Sequence, residues 1–128
     1  TIVSTVKTCL RLDEDFSEFY VEARKHRPFQ WIPKVGAGRL LRAPTVFEDV
    51  VKMICTTNCS WALTEVMVEN LCKKLGRQVN DAQWSFPRPE ALADVTEKFL
   101  RKEIRAGYRA PYLLELSRRI VKDELDIA

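Results

Sequence analysis

Apolar residues recur at helical spacing along most of the chain, and short polar segments separate the runs. A Thr-x-x-Glu capping box over residues 45–48 predicts the start of one core helix. Ser60 has the position of an N-cap for a second helix, which is expected to run to Leu75 and to stop at Gly76. The apolar stripes of these two helices contain Phe47, Val50, Val51, Ile54, Leu63, Val66, Met67, Leu71 and Leu75.

Further helical patterns lie on both sides of this pair. Residues 13–25 predict a helix with acidic residues in its first turn and basic residues in its last. Residues 90–94 predict a short helix, and Thr96 can cap the next one, which is expected to end near Gly107. Pro111 can occupy the first turn of the last helix. The fold class is therefore predicted to be mainly α, with several packed helices.

Residues 1–12 alternate weakly and contain β-branched residues among threonines, which favours a β-strand. Because a lone strand is not stable, we expect its partners upstream of Thr1. The chain also begins without Met, so a piece of a longer protein is expected. On this interpretation residues 1–12 are the last strand of a truncated sheet domain, and residues 13–128 form part of a helical domain.

Two stretches lack a helical pattern. Residues 27–44 are punctuated by proline and glycine, and Trp31, Ile32, Leu40 and Leu41 are expected to tie this segment to the core. Long irregular segments in compact domains are often functional. Residues 77–89 are predicted to form a polar loop.

Composition narrows the function classes only slightly. The 128 residues suffice for one domain at most, and no apolar run approaches the length of a membrane span. Lys and Arg number 21 against 18 Asp and Glu, so the net charge is +3. This balance permits an acidic partner such as DNA without requiring one. The amino terminus also lacks the pattern of a signal peptide, and a cytoplasmic, nucleoid-associated protein is expected.

Four cysteines, Cys9, Cys55, Cys59 and Cys72, form no Cys-x-x-Cys pair. The single histidine, His26, is far from them in sequence, so no zinc site and no other cofactor is expected. Buried, reduced thiols are the prediction for these side chains.

Two polar segments interrupt the helical pattern and are candidate functional sites. The first is Thr56-Thr57-Asn58, and the second is Gly107-Tyr108-Arg109. A basic stripe leads into the second segment, with cations at i, i+3, i+4 and i+7 of a helix. They are Lys98, Arg101, Lys102 and Arg105. Such a stripe can contact phosphates, although a solvated helix face has the same pattern.

Each polar segment has both a functional and a purely structural interpretation. Tyr108 can wedge into a base stack, or it can be half-buried packing. Arg109 carries a fork of donors that suits the acceptors of an unpaired cytosine, and the amide of Asn58 can complete such a contact. Asn58 can equally be a helix-end residue, and Gly107 is most simply a left-handed C′ glycine.

The order of four motifs resembles the helix-hairpin-helix superfamily of DNA glycosylases, and the 8-oxoguanine glycosylase branch in particular. The motifs are Gly-Arg-Leu-Leu-Arg at 38–42, Ile-Cys-Thr-Thr-Asn at 54–58, Phe-Pro-x-Pro-Glu-Ala-Leu at 86–92 and Gly-Tyr-Arg-Ala at 107–110. The resemblance covers roughly residues 36–122. It implies that Asn58 intercalates, that Tyr108 is the wedge and that Arg109 reads the orphaned base.

The sequence departs from that branch at several positions. Cys59 and Ser60 follow Asn58 where mammalian-type enzymes continue with Asn, and Leu63 stands where those enzymes have an Arg that joins the base contact. No Leu-Pro-Gly-x-Gly hairpin occurs, and Lys122 and Asp123 lack the context of the family's catalytic pair. The resemblance therefore implies no catalytic residue within this chain.

The resemblance implies part of a base-excision-repair glycosylase that flips an oxidised or alkylated purine and cleaves its N-glycosidic bond, in some members with lyase activity. The expected partner is double-stranded DNA with a damaged base, bound by a monomer. One alternative is a non-catalytic helical module that binds DNA or protein on the same scaffold. Another is a helical regulator, which predicts that Tyr108 is buried in the core.

Overall fold

The computed structural model describes residues 1–127. The chain forms two compact units, Thr1–Thr45 and a second unit that begins at Val46. The sequence-based division falls elsewhere, after residue 12, and the glycosylase domain boundary stays a prediction. No helix within residues 1–127 combines the length and apolar character needed to cross a bilayer.

The regular elements of the first unit are all helical, and the strand predicted over residues 1–12 is wrong. Its elements are α1 (Ile2–Cys9), α2 (Ser17–Lys25), a 3₁₀ turn (Arg27–Phe29) and α3 (Ile32–Val35). The hydroxyl of Thr1 accepts from the N–H of Ser4 at 3.3 Å, and the N–H of Thr5 donates to the Thr1 carbonyl at 3.1 Å. These local bonds satisfy the backbone without a partner strand, so they outweigh the β propensity of the side chains.

Of the four apolar residues predicted to anchor the irregular segment, Ile32 is partly buried and the other three are exposed, while a cation also ties the segment down. Trp31, Leu40 and Leu41 are exposed, at 55%, 74% and 75%. The Arg39 guanidinium instead lies 4.5 Å from the centre of the Phe16 ring and donates to backbone carbonyls of this unit. Cation–π stacking of this kind can order a loop that lacks its own apolar core.

The second unit contains the core, and the prediction of a mainly α fold is confirmed. Its elements in chain order are α4 (Val46–Thr56), α5 (Trp61–Leu75), β1 (Gln78–Asn80), β2 (Gln83–Trp84), α6 (Pro89–Ala93), α7 (Glu97–Phe99), a π turn (Leu100–Ile104), a 3₁₀ turn (Gly107–Arg109) and α8 (Ala110–Val121). Helix α6 packs on α8, α4 packs on α5, and α5 packs on the π turn. Fully buried side chains at these contacts include Val51, Met67, Leu71, Leu92, Leu100, Ile104 and Leu113.

The helix predicted from Thr96 to near Gly107 is only partly regular. Thr96 caps it as expected and accepts from the N–H of Phe99 at 3.1 Å. From Leu100 onward the turn widens into a π conformation, and Arg105 ends it in the left-handed region at φ +66°. The spacing of apolar residues indicates which face of a helix is buried. It does not indicate whether the backbone hydrogen bonds join residues four or five apart, so the sequence pattern did not predict the π turn.

Residues 77–89 contain a small antiparallel hairpin, whereas the sequence predicted a loop. Gln78 pairs with Trp84, and Asn80 pairs with Gln83. The side chain of Asn80 shapes the turn, since its oxygen accepts from the N–H of Ala82 at 3.0 Å and its nitrogen donates to Gln83 at 2.8 Å. Two short strands leave only a weak trace in sequence.

Candidate nucleic-acid interface

The first predicted segment lies on the turn that joins α4 to α5. Helix α4 ends at Thr56, and Asn58 adopts a left-handed conformation with φ +44° and an exposed side chain. Ser60 then caps α5 as predicted, because its hydroxyl accepts from the N–H of Leu63 at 3.3 Å. The amide of Asn58 is thus held at the surface by a capped helix on one side and a completed helix on the other.

The second segment begins directly after the π turn. Gly107 has φ +58° and starts the 3₁₀ turn that contains Tyr108 and Arg109. The left-handed conformation predicted for Gly107 is confirmed, but its predicted place at the helix end belongs to Arg105. Tyr108 is 47% exposed, which contradicts the alternative in which it belongs to the core.

Thr57 joins the two segments through its hydroxyl and carbonyl oxygens. The phenolic O–H of Tyr108 donates to the Thr57 hydroxyl at 3.0 Å and lies 3.2 Å from the Thr57 carbonyl. Arg109 donates through Nε to the same hydroxyl at 3.2 Å and through a terminal nitrogen to the same carbonyl. The segments that sequence analysis paired on order alone therefore meet in the folded chain.

Arg109 is buried, with 4% of its surface exposed. Besides its bonds to Thr57, it donates to the carbonyl of Ala106 at 3.5 Å, and its guanidinium lies 4.6 Å from the centre of the Tyr108 ring. Its role as a reader of an orphaned base stays a prediction. Its observed role is to connect the two turns and to support the aromatic ring.

All four basic residues of the predicted stripe are exposed, but they are not equivalent. Arg101 is paired with Glu97 at 2.6 Å. Within residues 1–127, no ion pair involves the other three cations, Lys98, Lys102 and Arg105. Because the π turn alters the spacing between them, the regular i, i+3, i+4, i+7 stripe is not preserved.

Two residues near this surface were not assigned a role from sequence. In the sequence Thr57 is only a neighbour of Asn58, and its contacts 51 and 52 positions away leave no local signal. Trp61 lies in the first turn of α5, three residues after Asn58, with 70% exposure and its indole N–H donating to Glu65 at 2.9 Å. An exposed tryptophan next to an irregular turn is a signal that sequence analysis could have used.

The four cysteine thiols differ in burial. Burial raises the pKa of Cys55 to about 11, and the nearby positive charge of Arg109 opposes that shift. The prediction of a buried, free thiol is confirmed for Cys55, whereas Cys9, Cys59 and Cys72 are free but only partly buried. Within residues 1–127 no group of three or more His, Cys, Asp or Glu side chains is placed to hold a metal ion.

Comparison with known proteins places this surface within a family. The model of the HhH-GPD superfamily of base excision DNA repair proteins matches residues 51–127. The N-glycosylase/DNA lyase of Saccharomyces cerevisiae is 28% identical over an alignment of 107 residues, and the match covers 75% of this chain and 28% of the yeast protein. The probable N-glycosylase/DNA lyase of Methanothermobacter thermautotrophicus is 28% identical over an alignment 149 positions long, and the match covers 99% of this chain and 47% of that protein.

Solved structures support the same placement. The apo form of Clostridium acetobutylicum 8-oxoguanine glycosylase/lyase is 26% identical with a TM-score of 0.77, and the match covers 94% of this chain and 43% of that one. The same enzyme bound to double-stranded DNA with cytosine opposite 8-oxoguanine gives a TM-score of 0.74 at 26% identity, over 94% and 42% of the two chains. MBOgg1 in complex with a low-affinity DNA ligand shares the fold, with a TM-score of 0.77 at 23% identity over 94% and 43%.

The chain spans less than half the length of each of these relatives. The family match nevertheless covers both polar segments, the π turn and α8. The resemblance inferred from the four sequence motifs is therefore confirmed, and the chain belongs to the HhH-GPD superfamily of base excision DNA repair proteins.

Proposed function

We propose that this chain is the DNA-opening part of a base-excision DNA glycosylase. The intact protein flips a damaged purine, oxidised or alkylated, out of double-stranded DNA and cleaves its N-glycosidic bond. It acts as a monomer on DNA associated with the nucleoid. Family membership and the N-glycosylase/DNA lyase relatives support the reaction class.

One observation carries the proposal for this part of the protein. Thr57 holds the turn of Asn58 against the turn of Tyr108, so an exposed amide and a half-exposed aromatic ring are presented on neighbouring turns. Extrusion of a base costs a few kcal/mol, and an inserted side chain can offset part of that cost by filling the gap in the stack. The ring of Tyr108 is suited to the gap, and the amide of Asn58 is suited to the edge of the base left behind.

The exposed cations supply the sequence-independent part of the binding in this proposal. Lys98, Lys102 and Arg105 are available for phosphates, because ion pairs within the described residues do not occupy them. Arg101 contributes less, since phosphate binding would compete with its bond to Glu97. In protein–DNA complexes generally, phosphate contacts position the protein and contacts to bases recognise the site.

The test uses the protein at its native length and two kinds of duplex. Binding is measured for a duplex with an abasic analogue and for the same duplex undamaged, and base release is measured on duplexes with an oxidised or an alkylated purine. We expect the wild-type protein to bind the abasic duplex more tightly than the undamaged one and to release one of the damaged purines. Both activities should be weaker in the variants Tyr108→Ala and Arg109→Ala. Unchanged affinity and excision in both variants would contradict the site assignment. Preferential binding without base release would favour the non-catalytic module.

A further inference from the structure

The hydroxyl of Thr57 uses its full hydrogen-bonding capacity inside the protein. It donates to the carbonyl of Ile54 at 2.8 Å, and it accepts from Tyr108 at 3.0 Å and from Nε of Arg109 at 3.2 Å. A hydroxyl offers one donor and two acceptor lone pairs, so no capacity is left for solvent. Thr57 itself is exposed, so its side chain is held in place by these three hydrogen bonds and not by burial in the core.

The carbonyl of Thr57 completes a double contact with each partner. The single phenolic proton of Tyr108 is shared between the two oxygens of Thr57, and Arg109 places two adjacent donors, Nε and a terminal nitrogen, on the same two oxygens. Two contacts to one residue restrict the rotation of a guanidinium much more than one contact does. The phenol and the guanidinium are therefore oriented by the same two atoms.

Arg109 does not use all of its N–H donors in these contacts. Three of its N–H groups bond to Thr57 and to Ala106, and a guanidinium has five, so one N–H remains on each terminal nitrogen. Thr57 thus fixes one edge of the guanidinium, and beyond the bond to Ala106 these contacts leave two N–H groups without an acceptor. A side chain that is held before the ligand arrives loses less conformational entropy on binding than a free one.

We infer that Thr57 is a positioning residue, which orients Tyr108 and Arg109 together for contact with an opened duplex. The inference rests on the proposed function and adds to it the residue that couples the two turns. Thr57 touches no base in this account. It acts through the phenol of Tyr108 and the guanidinium of Arg109. Removal of the Thr57 hydroxyl therefore leaves phosphate binding intact but weakens the preference for a duplex with a missing base.

The test compares three variants of the native-length protein. Thr57→Val removes the hydroxyl at nearly constant volume, and Thr57→Ser keeps it. Thr56→Val is the matched control, because the hydroxyl of Thr56 also donates to the carbonyl three residues earlier, at 2.7 Å, but bonds to neither partner of Thr57. Dissociation constants are measured for the abasic and the undamaged duplex. A 2-aminopurine opposite the abasic site reports by fluorescence whether the orphaned base is unstacked.

We expect Thr57→Val to reduce the abasic-to-undamaged affinity ratio about tenfold, as the loss of the two hydrogen bonds from its hydroxyl to Tyr108 and Arg109 predicts. Its fluorescence response should fall in parallel. Thr57→Ser and Thr56→Val should keep both within about twofold of the wild type, a spread typical of changes without lost contacts. A wild-type ratio in Thr57→Val, or an equal loss in Thr57→Ser or Thr56→Val, would overturn the inference. A wild-type protein without preference for the abasic duplex would instead overturn the proposed function.

Tyr108→Phe provides a second route to the same result if Thr57→Val folds poorly. It removes the phenolic donor but keeps the ring, and so breaks the same contact from the other side. We expect a smaller loss of the fluorescence response than in Thr57→Val, because the bonds of Arg109 to Thr57 persist. A response equal to that of the wild type would show that Thr57 does not orient Tyr108.

Discussion

The guanidinium carbon of Arg109 lies 4.6 Å from the centre of the Tyr108 ring, so a buried cation supports a half-exposed aromatic side chain. This relationship makes Arg109 part of the structure as well as a candidate for base contact. Cation–π attraction is strengthened where the cation is shielded from water. The two residues are therefore expected to respond to substitution as a unit rather than independently.

Replacement of Arg109 by Lys should destabilise the protein even though the charge is kept. The ammonium group cannot reproduce the paired Nε and terminal contacts to Thr57, and a buried charge would lose acceptors. We expect the free energy of unfolding, measured by urea titration, to fall by about 1–3 kcal/mol. Arg105→Lys, at an exposed position, is the control and should change it by less than about 0.5 kcal/mol. Equal stability of the two variants would contradict the structural role of Arg109.

Truncation of Tyr108 should affect damaged DNA far more than intact DNA. Tyr108→Ala removes the ring that is proposed to fill the gap, and a lost stacking contact is worth about 1–3 kcal/mol. The affinity for an abasic duplex should therefore fall about 5- to 150-fold, with little change for the undamaged duplex. Tyr112→Ala, which removes a tyrosine that is 58% exposed on α8, is the control in the same fluorescence-anisotropy titration. Similar losses for the two variants would argue against a specific wedge.

The salt dependence of DNA binding should distinguish paired from unpaired cations. Each phosphate contact contributes about 0.9 to the slope of log K against log salt. Lys98→Ala, Lys102→Ala and Arg105→Ala should each lower the slope by up to about that amount. Arg101→Ala should lower it less, because Glu97 already neutralises Arg101. If the slope falls most in Arg101→Ala, phosphate contacts are distributed differently from this proposal.

Two glycines should respond differently to alanine for separate physical reasons. Gly76 has an ordinary φ of −78°, but a Cβ there would lie 1.9 Å from the carbonyl oxygen of Ser85. Gly107 has φ +58° with nothing within 4 Å of a Cβ, so only conformational strain of about 1–2 kcal/mol is expected. Gly76→Ala should be the more destabilising substitution in thermal and urea unfolding. The reverse order would show that the backbone at Ser85 can move away from Gly76.

Thiol labelling should separate Cys55 from the other cysteines. Burial raises the pKa of Cys55 to about 11, so at pH 8 its thiolate fraction is far below that of an ordinary thiol. Mass spectrometry after brief treatment with iodoacetamide should find Cys59 modified well before Cys55, since Cys59 is only partly buried. In urea the difference should disappear. Equal labelling of both cysteines in the native protein would mean that α4 opens near its end.

Much of the helical architecture could be predicted because it depends on local signals. The cap at Ser60 and the cap at Thr96 both form the bonds that their side chains predict. The apolar stripe of α5 likewise places Met67 and Leu71 in the core. Where local signals conflict, as in residues 1–12, β propensity predicted a strand and the capping hydroxyl of Thr1 favoured a helix.

In the candidate site, too, some features depend on neighbouring residues and others on contacts between distant parts of the chain. The order of the motifs predicts that Asn58, Gly107, Tyr108, Arg109 and the basic segment before Gly107 contact DNA, because motifs and their order are properties of the sequence; these roles stay predictions. Only the tertiary structure showed that Arg109 is buried and that Thr57 joins segments 51 positions apart. The packing of α5 against the π turn, and of α4 against α8, accompanies this contact, and no local pattern encodes a contact over that distance.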